Sequence, residues 1–294
     1  MKKINFLILL IFSSVIFNSC ENTDALDRNV SVVNGDDGEK NKFDLYLDRE
    51  YVDPYNISFL YKLPDIETNF NHTLVPATLE NSIKMSNLVK YLCLEPYDAV
   101  APEFFMKKFF PKQLLMVGSA AYQNNGTRII GTAEGGLKIS LFEINNLDVT
   151  NIETLNALYF RTIYHEFSHI LHQNVDFSSD FDAITETTYV GDSWNESWTA
   201  ANPSNAAGYI SNYASKEATE DFVELIAHYI TSSTSTWDDI IAAAGDTGGP
   251  IITQKMELVK KYLQTTWSIN IDDLRDEIQT RSANLNDQDL DNIN

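Results

Sequence analysis

Residues 165–169 read His-Glu-Phe-Ser-His. On an α-helix, side chains four apart share a face, so both imidazoles can approach one metal ion with the glutamate beside it. This is the zinc-hydrolase arrangement. Two imidazoles hold Zn2+, the ion lowers the pKa of its bound water, and the carboxylate takes that water's proton. The spacing therefore predicts one Zn2+ per chain on His165 and His169, with Glu166 as general base. The context suits a buried helix rather than a solvated face. Between 150 and 173, Ile152, Leu155, Leu158, Tyr159, Phe167, Ile170 and Leu171 recur at helical spacing, and Thr150 and Glu153 stand at capping-box distance.

A catalytic zinc needs a third protein ligand. The metzincin extension would place Gly at 172 and His at 175, where this chain has His172 and Val175. His172, three residues after His169, is expected to sit on a neighbouring face, as support or at the surface. The segment from Tyr213 to Tyr229 offers more. Ser215 can cap a helix whose apolar face is Phe222, Leu225, Ile226 and Tyr229, and Glu220 and Glu224 share another face four residues apart. One of these carboxylates can bind zinc while the other orients a ligand imidazole. Glu217 and Asp221 are neighbouring acids that spacing alone does not exclude, and His228 reads as a helix-face residue.

The rest of the chain must position these groups. Its 294 residues, 44% hydrophobic and 12% aromatic, make one enzyme-sized domain and rule out bulk disorder. A net charge of −21 makes nucleic acid a poor partner, because that binding rests on cations. Lys2 and Lys3 precede an apolar run, Phe6 to Phe17, too short to span a bilayer comfortably, which ends at Asn18-Ser19-Cys20. This resembles a bacterial lipobox. Residues 1–19 read as a lipoprotein signal peptide, Cys20 as the lipidated first residue of the mature chain, 20–41 as a flexible acidic tether, and 42–294 as the domain. Cys93 reads as buried core. Helical spacing runs over Thr78–Leu94 and Pro102–Phe110, and strands over Gln113–Gly118 and Leu137–Ile144. After Thr150 the pattern is mostly helical, apart from an irregular stretch at 174–212. Gly248-Gly249-Pro250 reads as a turn before two closing helices. Strands followed by helices imply an α+β fold. Gly131–Phe142 reads as an edge strand or an ordinary hairpin, and Trp194, Trp198 and Tyr209 as residues that line a pocket or pin their loop.

Taken together, Cys20 and its signal, Phe109-Phe110-Pro111-Lys112, Gly131 to Gly136, His165 to His169 and Tyr213 to Glu224 resemble the substrate-import-associated zinc metallohydrolase lipoproteins of Bacteroidetes. The two zinc motifs are also similar to the catalytic domain of anthrax lethal factor, a gluzincin with a tyrosine seven residues before its glutamate ligand, as Tyr213 precedes Glu220. The resemblance implies a zincin-like metallopeptidase domain. Its zinc ligands would be His165, His169 and Glu220, with Glu166 as base, Tyr213 as donor to the oxyanion and Glu224 as the supporting carboxylate. The expected reaction is peptide hydrolysis, in which zinc-bound water attacks a carbonyl. The resemblance further implies a cell-envelope location, at the outer membrane, with an import receptor and its binding lipoprotein as partners. A non-catalytic zinc-containing binding subunit of such an import complex is the alternative. A structural zinc fits poorly, since such sites favour cysteine-rich shells.

Overall fold

The computed structural model describes residues 39–67, 72–122, 128–129, 131–134 and 136–293. The expected signal peptide, Cys20 and the expected tether up to residue 38 lie outside the described residues. Asn41–Asn294 packs as one unit. Among the described residues no helix is long and apolar enough to cross a membrane.

The fold is α+β, with helices before as well as after the strands. Helix α1 (Lys42–Leu47) is closed at its start by a capping box in which Asn41 and Asp44 serve each other's backbone. Strand β1 (Ser58–Leu60) follows, then α2 (Leu79–Val89), α3 (Glu95–Val100) and α4 (Phe105–Phe109). The strands β2 (Gln113–Met116), β3 (Ala121–Tyr122), β4 (Arg128–Ile129), β5 (Gly131–Glu134) and β6 (Lys138–Leu141) come next. The main sheet has the order β1-β2-β6-β5. β1, β2 and β6 run parallel, and β5 returns antiparallel on β6 to form the sheet edge. Gly131–Phe142 is thus both a hairpin and an edge. Alternation divides the sheet's two faces: Leu114, Met116, Ile139 and Leu141 enter the main core, and Leu115, Val117 and Phe142 a smaller cluster on the other side.

The helical half holds α5 (Ile152–Leu155), α6 (Arg161–Asn174), α7 (Ser179–Thr185), α8 (Ala218–Thr231), α9 (Thr234–Ala243), α10 (Gly245–Trp267) and α11 (Ile271–Ala283). Helix α6 carries the His-Glu-Phe-Ser-His run and lies beside β5. A Cβ at Gly131 would press into Thr162 of α6, so glycine permits that approach. Ile163, Tyr164 and Phe167 are fully buried on α6, as are Val223, Leu225 and Ala227 on α8. Cys93 is buried in the same core, and burial pushes its thiol far above the ordinary range.

The stretch expected to be irregular, 174–212, holds the short helix α7, capped by Ser178, and three further local expectations need correction. The cap of α5 is Asn151, which accepts from Thr154 N, and not Thr150, whose hydroxyl bonds Asp148. The residue before α8 is Glu217, with no side-chain cap. Ser215 is instead buried, its hydroxyl donating to Asn212 O and accepting from Trp198 Nε1. Gly248-Gly249-Pro250 lies inside α10 and is not a turn. Those glycines serve close approach: a Cβ at Gly248 would overlap the Asn205 carbonyl, and one at Gly249 would meet Ile241 O at 2.9 Å. The braced turn Ser204–Ala207 leads directly into the segment that delivers Tyr213. Gly248→Ala therefore sets side chain against backbone that cannot rotate away. It should lower stability by about 1–3 kcal/mol, read as an earlier urea midpoint at unchanged m-value.

Candidate metal centre

Helices α6 and α8 pack against each other and bring the two motifs together across 51 residues. His165 Nε2 and His169 Nε2 lie 3.1 Å apart, and Glu220 Oε2 is 3.2 Å from each. His165 and Glu220 are almost wholly buried. Glu220 stands in the first turn of α8, where unpaired backbone N–H groups favour negative charge. A Glu166 carboxylate oxygen lies within 4.8 Å of a ring nitrogen of each histidine.

The outward nitrogens are already engaged. His165 Nδ1 donates to Glu224 Oε1 at 2.8 Å, and Glu224 Oε2 accepts from the Ser211 hydroxyl at 2.5 Å. His169 Nδ1 lies 2.9 Å from His172 Nε2. Burial, helped by His169, holds the His172 pKa down, so the neutral ring can accept that proton. Both Nε2 atoms point inward, towards a carboxylate oxygen. Such a triangle suits a cation. Donors about 2.0–2.1 Å from a tetrahedral ion are themselves roughly 3.3 Å apart, close to the three edges found here. Two imidazoles and one carboxylate, with no thiolate, make the donor set of a catalytic zinc site.

The electrostatics agree. Burial alone would lower the His165 pKa, but hydrogen bonds to Glu220 and Glu224 outweigh it and raise it to about 10. Burial works to raise Glu220 as well, and contacts with His165, His169 and Tyr213 hold it well below the carboxylate range. Glu224 is held down in the same way by His165 and His228. Glu166 goes the other way: burial raises it, and the two imidazoles offset this only in part. The centre thus favours positive charge at its middle and keeps one carboxylate readier to take a proton.

Tyr213 reaches the same cluster, its hydroxyl donating to Glu220 Oε1 at 2.8 Å, and Trp194 sets its ring edge-on against it at 5.0 Å. Trp198, bonded to Ser215, and fully buried Tyr209 pin the irregular segment. Neither Glu217 nor Asp221 joins the triangle. Glu217 is exposed, and Asp221 is fully buried in a pair with Lys255 and accepts from Tyr189 at 2.9 Å. His228 stands 3.5 Å from Glu224. Two groups had not been singled out from the sequence. Lys216 Nζ donates to Glu220 Oε1 at 3.1 Å, and its i, i+4 spacing was a readable signal. Ser211 left none.

Comparison with known proteins gives the family. A family described as "putative zinc-binding metallo-peptidase" matches residues 36–272. A crystal structure under the same description, from Bacteroides caccae ATCC 43185, is 38% identical with a TM-score of 0.78, covering 90% of this chain and 100% of that one. Among curated proteins none matches. A model match over most of the chain, joined to that identity over the whole of a solved relative, shows that this chain belongs to the zinc-binding metallo-peptidase family.

Proposed function

We propose that this chain is a zinc-dependent peptidase of the glutamate-zincin type, acting on peptides or proteins from a lipid-anchored position in the cell envelope. The observation that carries the reading is the inward triangle of His165 Nε2, His169 Nε2 and Glu220 Oε2, with edges of 3.1–3.2 Å. These three residues would hold the ion. When bound, zinc supplies Lewis-acid polarisation of the scissile carbonyl and acidifies a water. Glu166 takes the proton of the attacking water and returns it to the leaving amine, and its raised proton affinity suits that exchange. Tyr213 donates its hydroxyl to the developing oxyanion, exchanging its bond to Glu220 for one to substrate. The seven-residue step from Tyr213 to Glu220, shared with the lethal-factor pattern, supports that role.

The envelope part rests on residues 1–41. The basic start, the short apolar run and Cys20 support lipidation, and hence an outer-membrane location facing the surface or the periplasm. Partnership with an import receptor and its binding lipoprotein rests on the family resemblance.

Protein lacking residues 1–20 should carry one zinc per chain. Glu220→Ala should lose it, and a variant that keeps zinc at wild-type affinity would sink the glutamate-zincin assignment. Glu166→Gln should keep the metal while cleavage of a peptide library falls by about 10²–10⁴-fold. Glu224→Ala frees the His165 ring and should weaken zinc by about 10–100-fold in chelator competition. Tyr213→Phe should lower kcat by about 10²–10³-fold with zinc content unchanged.

A further inference from the structure

The second oxygen of Glu220 has two donors, although the reaction leaves it only one. Oε1 accepts from the Tyr213 hydroxyl at 2.8 Å and from Lys216 Nζ at 3.1 Å, while Oε2 alone faces the imidazoles. A phenol has a single proton to donate. Once Tyr213 turns to an oxyanion, Oε1 keeps only the ammonium. Lys216 is placed for both states, since its Nζ also lies 5.4 Å from the centre of the Tyr213 ring. Its position is built in. Lys216 is four residues before Glu220, it is half-buried, and its carbonyl accepts from Gly191 N at 3.1 Å, which ties it to the Trp194 segment. The competing acid, Glu217, is exposed and lies farther from the ammonium at 3.5 Å.

We infer that Lys216 is a positioning residue that holds Oε1 of Glu220 away from the metal, so that Glu220 binds through Oε2 alone whether or not Tyr213 is engaged with substrate. The inference rests on Glu220 being a zinc ligand. A carboxylate with a free second oxygen beside a dication can turn and bind through both, adding a fifth donor where water or substrate must bind. An ammonium on Oε1 opposes this by charge-assisted hydrogen bonding, and does so without the proton that Tyr213 carries to the substrate. Lys216 thereby frees the phenol to leave Glu220.

Coordination number can be read without turnover by replacing zinc with Co2+ in the full-length chain and recording its visible spectrum. The wild type should show the intense absorption of four-coordinate cobalt. Tyr213→Phe, which takes the phenol off Oε1 as engagement with substrate would, should keep that intensity because Lys216 remains. Adding Lys216→Met to Tyr213→Phe should still bind one Co2+ per chain, at equal or tighter affinity, but lose that intensity as Glu220 becomes bidentate. Lys216→Arg in the same background, which restores a cation at Oε1, should recover it. A mere surface ion pair would leave the spectrum unmoved, so a wild-type spectrum in a folded Tyr213→Phe, Lys216→Met variant overturns the inference. Loss of cobalt from that variant also overturns it, since Lys216 would then support affinity rather than the mode of binding. If Lys216→Met lacks a cooperative thermal transition, Lys216→Leu, which also cannot donate to Oε1, takes its place under the same criteria. Glu220→Ala run alongside separates the two levels: cobalt bound there at wild-type affinity refutes the ligand assignment, whereas cobalt lost there leaves the Lys216 result to stand on its own.

Discussion

Three electron-rich atoms, two imidazole nitrogens and a carboxylate oxygen, are held within 3.2 Å of one another, and the remaining architecture follows from that demand. Positive charge among them, either the proton that His165 holds strongly or a metal ion, offsets their mutual repulsion. Something must also set them at this spacing. That force is the packing of α6 on α8, where Ile163, Tyr164, Phe167, Val223, Leu225 and Ala227 are completely buried. Each large apolar side chain among them contributes about 1.5–3 kcal/mol of burial, which in sum exceeds what a strained polar cluster takes back. The site is therefore preformed by the core. The parallel strands and the last two helices matter to function chiefly as the walls against which α6 and α8 are set.

A second constraint keeps α8 in its rotational setting. Asp221 follows Glu220 directly, and on a helix that turns it to a different side, where Lys255 of α10 meets it with neither group exposed. Lys255 also donates to Gly208 O at 3.0 Å and stands over the Tyr209 ring at 4.3 Å, while Tyr189 bonds Asp221. One ammonium thus joins α8, α10 and the segment that carries Tyr213. Burial pushes Asp221 up to about 6, though Lys255 pulls it back, so the pair adds little net stability. Its value lies in specificity. A rotated α8 would strand a buried charge, at roughly 3–5 kcal/mol, and so Glu220 and Glu224 are kept facing α6.

How much of this could be read in the sequence depends on the range of each interaction. His165, Glu166 and His169 were legible because one helical turn decides their neighbourhood. The choice of Glu220 over Glu217 and Asp221 came only with the family resemblance, because all three occupy the same short stretch and only packing 51 residues away separates them. Their fates differ by burial partner: the triangle for Glu220, Lys255 for Asp221, solvent for Glu217. The capping errors have the same origin. Ser215 has the right chemistry for a cap, but Trp198 and the Asn212 carbonyl use its hydroxyl. At Gly248 and Gly249 a composition typical of turns hides a requirement for close contact between helices, which only the fold reveals. The parallel pairing of β1, β2 and β6 is likewise set by connections that strand patterns do not encode.

The two imidazoles are not supported alike, and charge gives the reason. His165 leans on a carboxylate, Glu224, whereas His169 leans on His172, a ring that burial keeps neutral. A carboxylate behind a ligand imidazole raises its basicity and passes negative charge towards the ion. Glu166, Glu220 and Glu224 already stand around the two imidazoles, one carboxylate more than a dication would need for neutrality. A further carboxylate at position 172 would make the surroundings more anionic, and a water there harder to deprotonate. It would also deepen the repulsion that the core has to overcome. A neutral histidine still orients the His169 ring and adds no charge. Its closeness to Phe177, at 5.7 Å between ring centres, gives it an apolar wall that favours that neutral form. Under the proposed zinc assignment, the departure from the usual carboxylate–histidine pairing at His169 is thus what a site with three carboxylates would require to keep a bound water acidic.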